Sequence, residues 1–367
     1  MKVMVVLGTR PEGVKLAPVI KALQAEPTIE CRVCVTGQHR EMLDQVLQLF
    51  AITPDVDLDL MRAGQTPSQV AARVLLTLEP VLEEERPDWI IVQGDTTTVM
   101  AAAIAAHHLR IRVAHVEAGL RTGDRWNPFP EEMNRVVADH ISDIHFAPTQ
   151  QAKNNLLREG IAAHRIHVTG NTAIDALLQV IEQPVPPLIE QVLMPNKRLV
   201  LVTTHRRENL GEPQKNICRA LISLSEQFPD VQILLPVHLN PRVREVIYPM
   251  LSDLPNITLI DPVDYLTLAN LMKRAVLIMT DSGGIQEEAP TFHVPILILR
   301  ETTERPEAVD VGFAELVGTD TTRILDAARP HLANAEQAAW LPDVQNPYGD
   351  GEASRRIVSL LSQGELA

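Results

Sequence analysis

The sequence predicts an α/β fold of two Rossmann-like, doubly wound domains facing a cleft, and three observations carry that prediction. Short β-rich runs alternate with longer helical stretches along the chain. The alternation restarts after a proline-rich segment at Pro184, Pro186, Pro187 and Pro195. The length, 367 residues, exceeds what one ordinary core organises. Alternating β and α elements imply parallel strands joined by right-handed crossovers. The expected domains are residues 1–170 and 171–352.

Taken in order, the β-branched and apolar runs at 3–7, 31–35, 89–92, 112–116 and 144–146 read as strands. The stretches around 14–25, 40–49, 67–86 and 97–109 read as helices between them. In the second series the apolar strands fall at 199–202, 233–235, 276–279 and 296–299. The opening MKVMVVLG is too short an apolar run for a signal peptide and reads as the first strand. No apolar stretch approaches the roughly 18–20 residues that span a bilayer, so a cytoplasmic protein without membrane partners is expected.

Composition narrows the function. Hydrophobic residues at 45% and charged residues at 22% belong to a globular chain. A net charge of −14 argues against nucleic acid, which needs a basic face. Cations nevertheless gather at Arg10, Lys15, His205 to Arg207 and Arg305, which points to a small anionic ligand. Three cysteines make no disulfide framework. Cys31 and Cys34 have C-x-x-C spacing but fall on opposite faces of a strand, so burial is the expectation. No motif calls for a metal or a cofactor.

In doubly wound sheets ligands sit outside the carboxyl ends of the strands, so the residues directly after each strand matter most. After the first comes GTRPEGVKLAP, offering Arg10 and Lys15. It resembles a phosphate-binding P-loop, but Lys15 arrives one place late with no Ser or Thr behind it, and G-x-G-x-x-G is absent. In VQGDTTT, Asp95 stands just past a strand, where a helix N-cap is the competing explanation. The stretch HVEAGLRTGDRWNPFPEEMNR leaves a strand and immediately presents Glu117. It then crosses a glycine-punctuated loop with an exposed-looking Trp126 and reaches Glu131 at a helix start. A carboxylate in a first helical turn is favoured by the dipole in any case, worth about 0.3–1 kcal/mol. Asp95 and Glu117 at corresponding strand ends, with Glu131 on the connected loop, are harder to explain by capping alone.

The second series supplies the complement. VTTHRREN places His205, Arg206 and Arg207 after its first strand, and MTDSGGIQEEAP places Ser282, Gly283 and Gly284 at a helix start. Free N–H groups with glycines beside them cradle phosphate. Glu287 or Glu288 could accept from ribose hydroxyls, and Arg305 adds charge. Together they indicate a nucleotide diphosphate.

At these residues the sequence resembles the non-hydrolysing UDP-N-acetylglucosamine 2-epimerases. The resemblance runs in order from GTRPEGVKLAP through TGQHREMLDQV, GDTTT, HVEAGLRTGDRWNPFPEEMNR, TGNTAIDAL, HRRENLGEP, VHLNP, DSGGIQEEAP and TTERPEAV to NPYGDGEASRRI, nearly the whole chain. Glycine at 13, where alanine is usual, is a small departure.

The resemblance implies a glycosyltransferase-B-type fold whose C-terminal helix, within residues 353–367, packs back on the first domain. It implies UDP on the second domain, with Ser282, Gly283, Gly284 and Arg206 on the phosphates, Glu288 on the ribose and Tyr265 near the uracil. Arg10, Lys15 and Arg305 complete the ligand pocket. Asp95, Glu117, Glu131 and His205 are the implied catalytic groups. The implied reaction interconverts UDP-GlcNAc and UDP-ManNAc, a step toward surface polysaccharide, through a 2-acetamidoglucal intermediate. A homodimer is implied, and a second UDP-GlcNAc as activator would meet Gln38 and His238. A retaining glycosyltransferase, a hydrolysing 2-epimerase and a nucleotide-sugar sensor are the competing readings.

Overall fold

The computed structural model describes residues 1–37, 40–60, 62, 64–333 and 345–362. The chain forms two compact units, Met1–Ala176 with Tyr348–Ala367, and Leu177–Pro347. Each is an α/β unit on one wholly parallel sheet, the class the alternation predicts.

The first unit runs β1 (Lys2–Leu7), α1 (Arg10–Ala25), β2 (Glu30–Val35), α2 (Arg40–Leu49), β3 (Val56–Asp57), α3 (Pro67–Glu85) and β4 (Trp89–Gln93). It continues with α4 (Thr97–His108), β5 (Arg112–Val116), α5 (Glu131–Ile141), β6 (Ile144–Ala147), α6 (Gln150–Arg158) and β7 (Ile166–Val168), and α7 (Thr172–Val180) runs from it into the second unit. Its sheet order is β3-β2-β1-β4-β5-β6-β7. Helix starts are written locally. Thr9 caps α1 in a full capping box with Glu12 and Pro in the first turn, and Thr66 with Gln69 does the same for α3. Strand β4 is buried along its whole length, as expected for a strand covered on both faces.

The second unit holds α8 (Pro187–Val192), β8 (Arg198–Thr203), α9 (Glu212–Gln227), β9 (Val231–Pro236), α10 (Pro241–Leu251), β10 (Ile257–Ile260), α11 (Tyr265–Arg274) and β11 (Ala275–Thr280). After these come α12 (Gly283–Glu288), β12 (Ile296–Ile298), α13 (Glu307–Asp310), β13 (Ala314–Leu316) and α14 (Thr321–Ala333). Its sheet order is β10-β9-β8-β11-β12-β13. Its core is the interior faces of β8, β9 and β11 against α9, α10 and α14, including Val200, Leu221, Ile233, Ile247, Leu277 and Ile324.

The last helix, α15 (Ala353–Ser362), lies against α1. Buried Asp175 accepts from the Ser354 amide at 2.7 Å and the Ala353 amide at 3.3 Å, satisfying donors at the start of α15. The Asn171 amide donates to the Tyr348 carbonyl at 2.6 Å. Among the described residues no helix is long and apolar enough to cross a membrane.

The strands read from sequence are present. Those not read are β3, β7, β10 and β13, the two edges of each sheet. They are two to four residues long and partly exposed, so they lack the continuous apolar run that marks an interior strand.

Candidate functional site

Both sheets reverse winding direction in the middle, between β1 and β4 in the first unit and between β8 and β11 in the second. Strands diverge into a crevice at such a switch point. Arg10 and Asp95 in the first unit, and His205, Arg206 and Ser282 to Gly284 in the second, emerge there, with Glu117 after the next strand, whereas Tyr265 opens α11 after the edge strand β10.

In the first unit, Arg10 opens α1 directly after β1, and Asp95 follows β4. Gln93 and Val116 are register partners, so Asp95 and Glu117 leave adjacent strands within a residue of the same level. Thr96, not Asp95, caps α4, its hydroxyl accepting from the Val99 amide at 3.3 Å. That removes the capping explanation for Asp95. Its Oδ2 instead accepts from Arg135 Nη2 at 2.7 Å and Nε at 3.1 Å. Glu131 lies four residues before Arg135 on α5 and therefore on the same helix face.

Glu117 is buried and sits in the left-handed region at φ 64°, a conformation costing a non-glycine residue about 1–3 kcal/mol. Its neighbours hold it there. The Gly94 amide donates to the Val116 carbonyl at 3.0 Å, and the Ala118 amide donates to Phe146 at 3.2 Å. Buried Lys15 forms an ion pair with Glu117 Oε2, and Asn171 Nδ2 donates to the same oxygen at 3.2 Å. Two donors on one buried oxygen favour the carboxylate form.

Glu131 and Glu132 divide the work of the loop end. Glu132 is buried and accepts from the amides of Thr122 and Gly123 at 3.0 Å and from Arg135 at 3.2 Å, so it folds the loop. Glu131 is half-buried and makes no such bond among the described residues. Trp126 and Phe129 are 67% and 61% exposed, with ring centroids 5.8 Å apart.

In the second unit, His205 and Arg206 follow β8 and Ser282 to Gly284 follow β11. Asp281, which sequence reasoning left unassigned, ties the two together. It is fully buried and accepts from the Thr204 hydroxyl at 3.0 Å, the His205 amide at 2.9 Å, the Arg206 amide at 3.0 Å and Asn209 at 2.9 Å. Burial works against its charge, but the bonds from His205 and the Arg206 amide hold its carboxyl below the usual range. His205 stacks on His238, centroids 5.8 Å apart and planes 23° from parallel. Gln38 lies outside the described residues.

Ser282 is the N-cap of α12. A Cβ at Gly283 would stand 2.6 Å from Arg305 Nη1, so only glycine lets that guanidinium lie across the helix start. Arg305 Nε donates to Glu287 at 2.5 Å and Nη1 to Glu304 at 2.6 Å. Glu304 also takes Arg300 at 2.9 Å. Although burial opposes its charge, Arg305 and Arg300 pull it well below the ordinary carboxylate range. The sequence leaves Glu287 and Glu288 equivalent; the fold separates them. Glu287 is committed to Arg305, whereas Glu288 accepts from the Tyr265 hydroxyl at 3.1 Å.

Glu12 was also unassigned, although T-R-P-E carries the capping-box signature. It accepts from the amides of Gly8 and Thr9 at 2.5 and 2.7 Å and from the Thr96 hydroxyl at 2.5 Å, so it locks the two loops of the first switch point together. Burial raises its pKa. Among the described residues no cluster of His, Cys, Asp or Glu could hold a metal ion.

A family profile described as UDP-N-acetylglucosamine 2-epimerase matches residues 21–362. A UDP-N-acetylglucosamine 2-epimerase from Yersinia pestis is 50% identical over 374 residues, covering 100% of both chains. The crystal structure of a UDP-GlcNAc 2-epimerase from Neisseria meningitidis bound to UDP-GlcNAc superposes with a TM-score of 0.93 at 45% identity, covering 99% of this chain and 100% of that one. The glycotransferase of kitacinnamycin, at 13% identity and a TM-score of 0.66 over 99% of this chain and 98% of its own, shares the fold.

Proposed function

The chain belongs to the UDP-N-acetylglucosamine 2-epimerase family, and on that premise we propose that it interconverts UDP-N-acetylglucosamine and UDP-N-acetylmannosamine. The observation that carries the proposal is the convergence of Asp95 and Glu117 at register-matched ends of β4 and β5, with Glu131 on the face of α5 that holds Asp95. Inverting a carbon needs a proton taken from one face and returned to the other, and several carboxylates can serve both.

The C2 hydrogen has no adjacent carbonyl to acidify it. A carboxylate therefore removes it as the C1–oxygen bond breaks. The electron pair of the C–H bond becomes the C1=C2 double bond of 2-acetamidoglucal, and the pair of the C1–O bond leaves with the β-phosphate oxygen of UDP. Re-addition of UDP at C1, with a proton delivered to the opposite face of C2, completes the inversion. Cations must stabilise the departing diphosphate. We assign that task to Arg10, Arg206, Arg305 and the Ser282–Gly284 helix start, with Lys15 holding Glu117 charged. His205 joins the catalytic groups, Glu288 takes the ribose, and Tyr265 lies near the uracil.

The proposal extends to a cytoplasmic homodimer and to a second UDP-GlcNAc as activator at Gln38 and His238. Proton NMR of UDP-GlcNAc incubated with the protein, without an acceptor, tests the reaction. The expected product is UDP-ManNAc at equilibrium with substrate. Free ManNAc would instead establish the hydrolysing epimerase, and unchanged substrate would contradict the proposal and point to the transferase or the sensor, which release of UDP on adding an acceptor separates.

A further inference from the structure

His115 lies on β5 two residues before Glu117 and is completely buried. Its Nδ1 stands 2.6 Å from Asp139 Oδ1 and its Nε2 stands 2.7 Å from the Gly94 carbonyl oxygen. Both partners only accept. A neutral imidazole has one N–H and one lone pair, so it could satisfy one contact and would set a lone pair against an oxygen at the other. An imidazolium has two N–H groups and satisfies both.

We propose that His115 is held as an imidazolium cation, and that this buried charge is the positioning residue setting the three candidate carboxylates relative to one another. The connectivity carries the second half. His115 stands on the strand that delivers Glu117. Through Nε2 it holds the residue before Asp95. Through Nδ1 it holds Asp139, on the helix that begins at Glu131. One side chain thus touches the carrier of each carboxylate.

The surrounding charges fit a cation. Asp139 is fully buried and, besides His115, accepts from Arg121 Nη2 at 2.7 Å and the Gly119 amide at 3.3 Å. Arg121 is shared with Glu159 at 2.7 Å. Burial and Arg121 push the His115 pKa down, but Asp139 and the Gly94 carbonyl more than offset them and leave it raised. His145, on β6, is the contrast. It faces the Asp139 carbonyl at 2.6 Å and the Arg165 carbonyl at a longer 3.2 Å, and among the described residues no carboxylate oxygen bonds it. Burial lowers its pKa, and a neutral ring with its proton on Nε2 meets the shorter contact.

The charge claim stands on geometry; the positioning claim rests on the epimerase reading, and two measurements separate them. In protein labelled with ¹⁵N-histidine, two-bond ¹H–¹⁵N correlation should show both His115 nitrogens still protonated at a pH above the ordinary imidazole value of about 6.5. His145 should show one N–H in the same spectrum. A single N–H on His115, assigned by its loss in His115→Gln, overturns the charge claim whatever the reaction.

In kinetics, His115→Gln should lower kcat by about 10- to 100-fold, the cost of misplacing reacting groups by an ångström, with the KM for UDP-GlcNAc unchanged. Asp139→Asn removes the counter-charge, so the ratio of its kcat to that of the wild type should fall as pH rises through the ordinary imidazole range. Wild-type kcat in His115→Gln, or a ratio that stays level for Asp139→Asn, overturns positioning. No turnover by the wild type removes positioning together with the epimerase reading and leaves the charge to the spectrum. Should both variants misfold, assignment of the His115 ring through its backbone resonances in the wild type still lets the spectrum decide the charge.

Discussion

At the scale of single residues, Glu117 is a proposed catalytic group that also carries backbone strain. It is buried, left-handed at φ 64°, ion-paired with Lys15 and hydrogen-bonded by Asn171. Glu117→Gln, Asp95→Asn and Glu131→Gln should each lower turnover at least about 100-fold, the lower range for acid–base catalysis. Calorimetry should find UDP affinity little changed; a parallel loss of binding would make these residues ligands, not proton carriers. Glu287 and Glu288 should separate as their partners do. Glu287→Gln leaves buried Arg305 short of a carboxylate and should lower the melting temperature, whereas Glu288→Gln should weaken UDP binding with little loss of stability. A Glu287 variant that melts like the wild type would contradict that division. Asp95 and Glu117 were legible as candidates because they stand at corresponding ends of two buried strands, although helix capping competed for Asp95 until Thr96 proved to be the cap. Asp281 and Glu12 were not, because their partners are backbone amides of other loops, which no local pattern reports.

At the scale of elements, the switch points decide what the residues can do. The alternation of strands and helices was readable from periodicity, while the edges β3, β7, β10 and β13 were not, being too short and exposed to leave a pattern. Glycines mark where elements approach most closely. At Gly119, φ 89°, an added Cβ would run into the Ala152 carbonyl on α6, which is backbone and cannot swing away. Gly119→Ala should therefore cost about 2–4 kcal/mol, read by denaturant unfolding. Gly283→Ala should act on binding, because it pushes Arg305 off the start of α12; UDP affinity is expected to fall about tenfold, the loss of one charge-assisted hydrogen bond. Unchanged affinity would place the diphosphate elsewhere.

At the scale of the whole molecule, the chain's last segment completes the first unit. Asp350 bonds Arg356 at 2.6 and 2.8 Å, and that bond holds its pKa down at about 2, against an ordinary 3.8. A depressed carboxylate stabilises the fold above its unfolded pKa and stops doing so as pH falls through the folded one. Protection of α15 amides against hydrogen exchange, taken relative to the intrinsic rate at each pH, should therefore fall between pH 3.8 and about 2; protection that stays level there would detach the ion pair from the helix. Burial pushes the Cys31, Cys34 and Cys218 thiols up to about 12, so alkylating reagents should leave them unmodified near neutral pH until the protein unfolds.

The central claim is that carboxylates of this chain remove and restore the hydrogen at C2. Carboxylic acids exchange protons with solvent quickly, so the restored hydrogen comes from the medium. The direct measurement is the isotopic content of UDP-ManNAc formed from UDP-GlcNAc in D₂O. The account predicts deuterium at C2, with uridine diphosphate still attached to the sugar. UDP-ManNAc that keeps its original C2 hydrogen would contradict it.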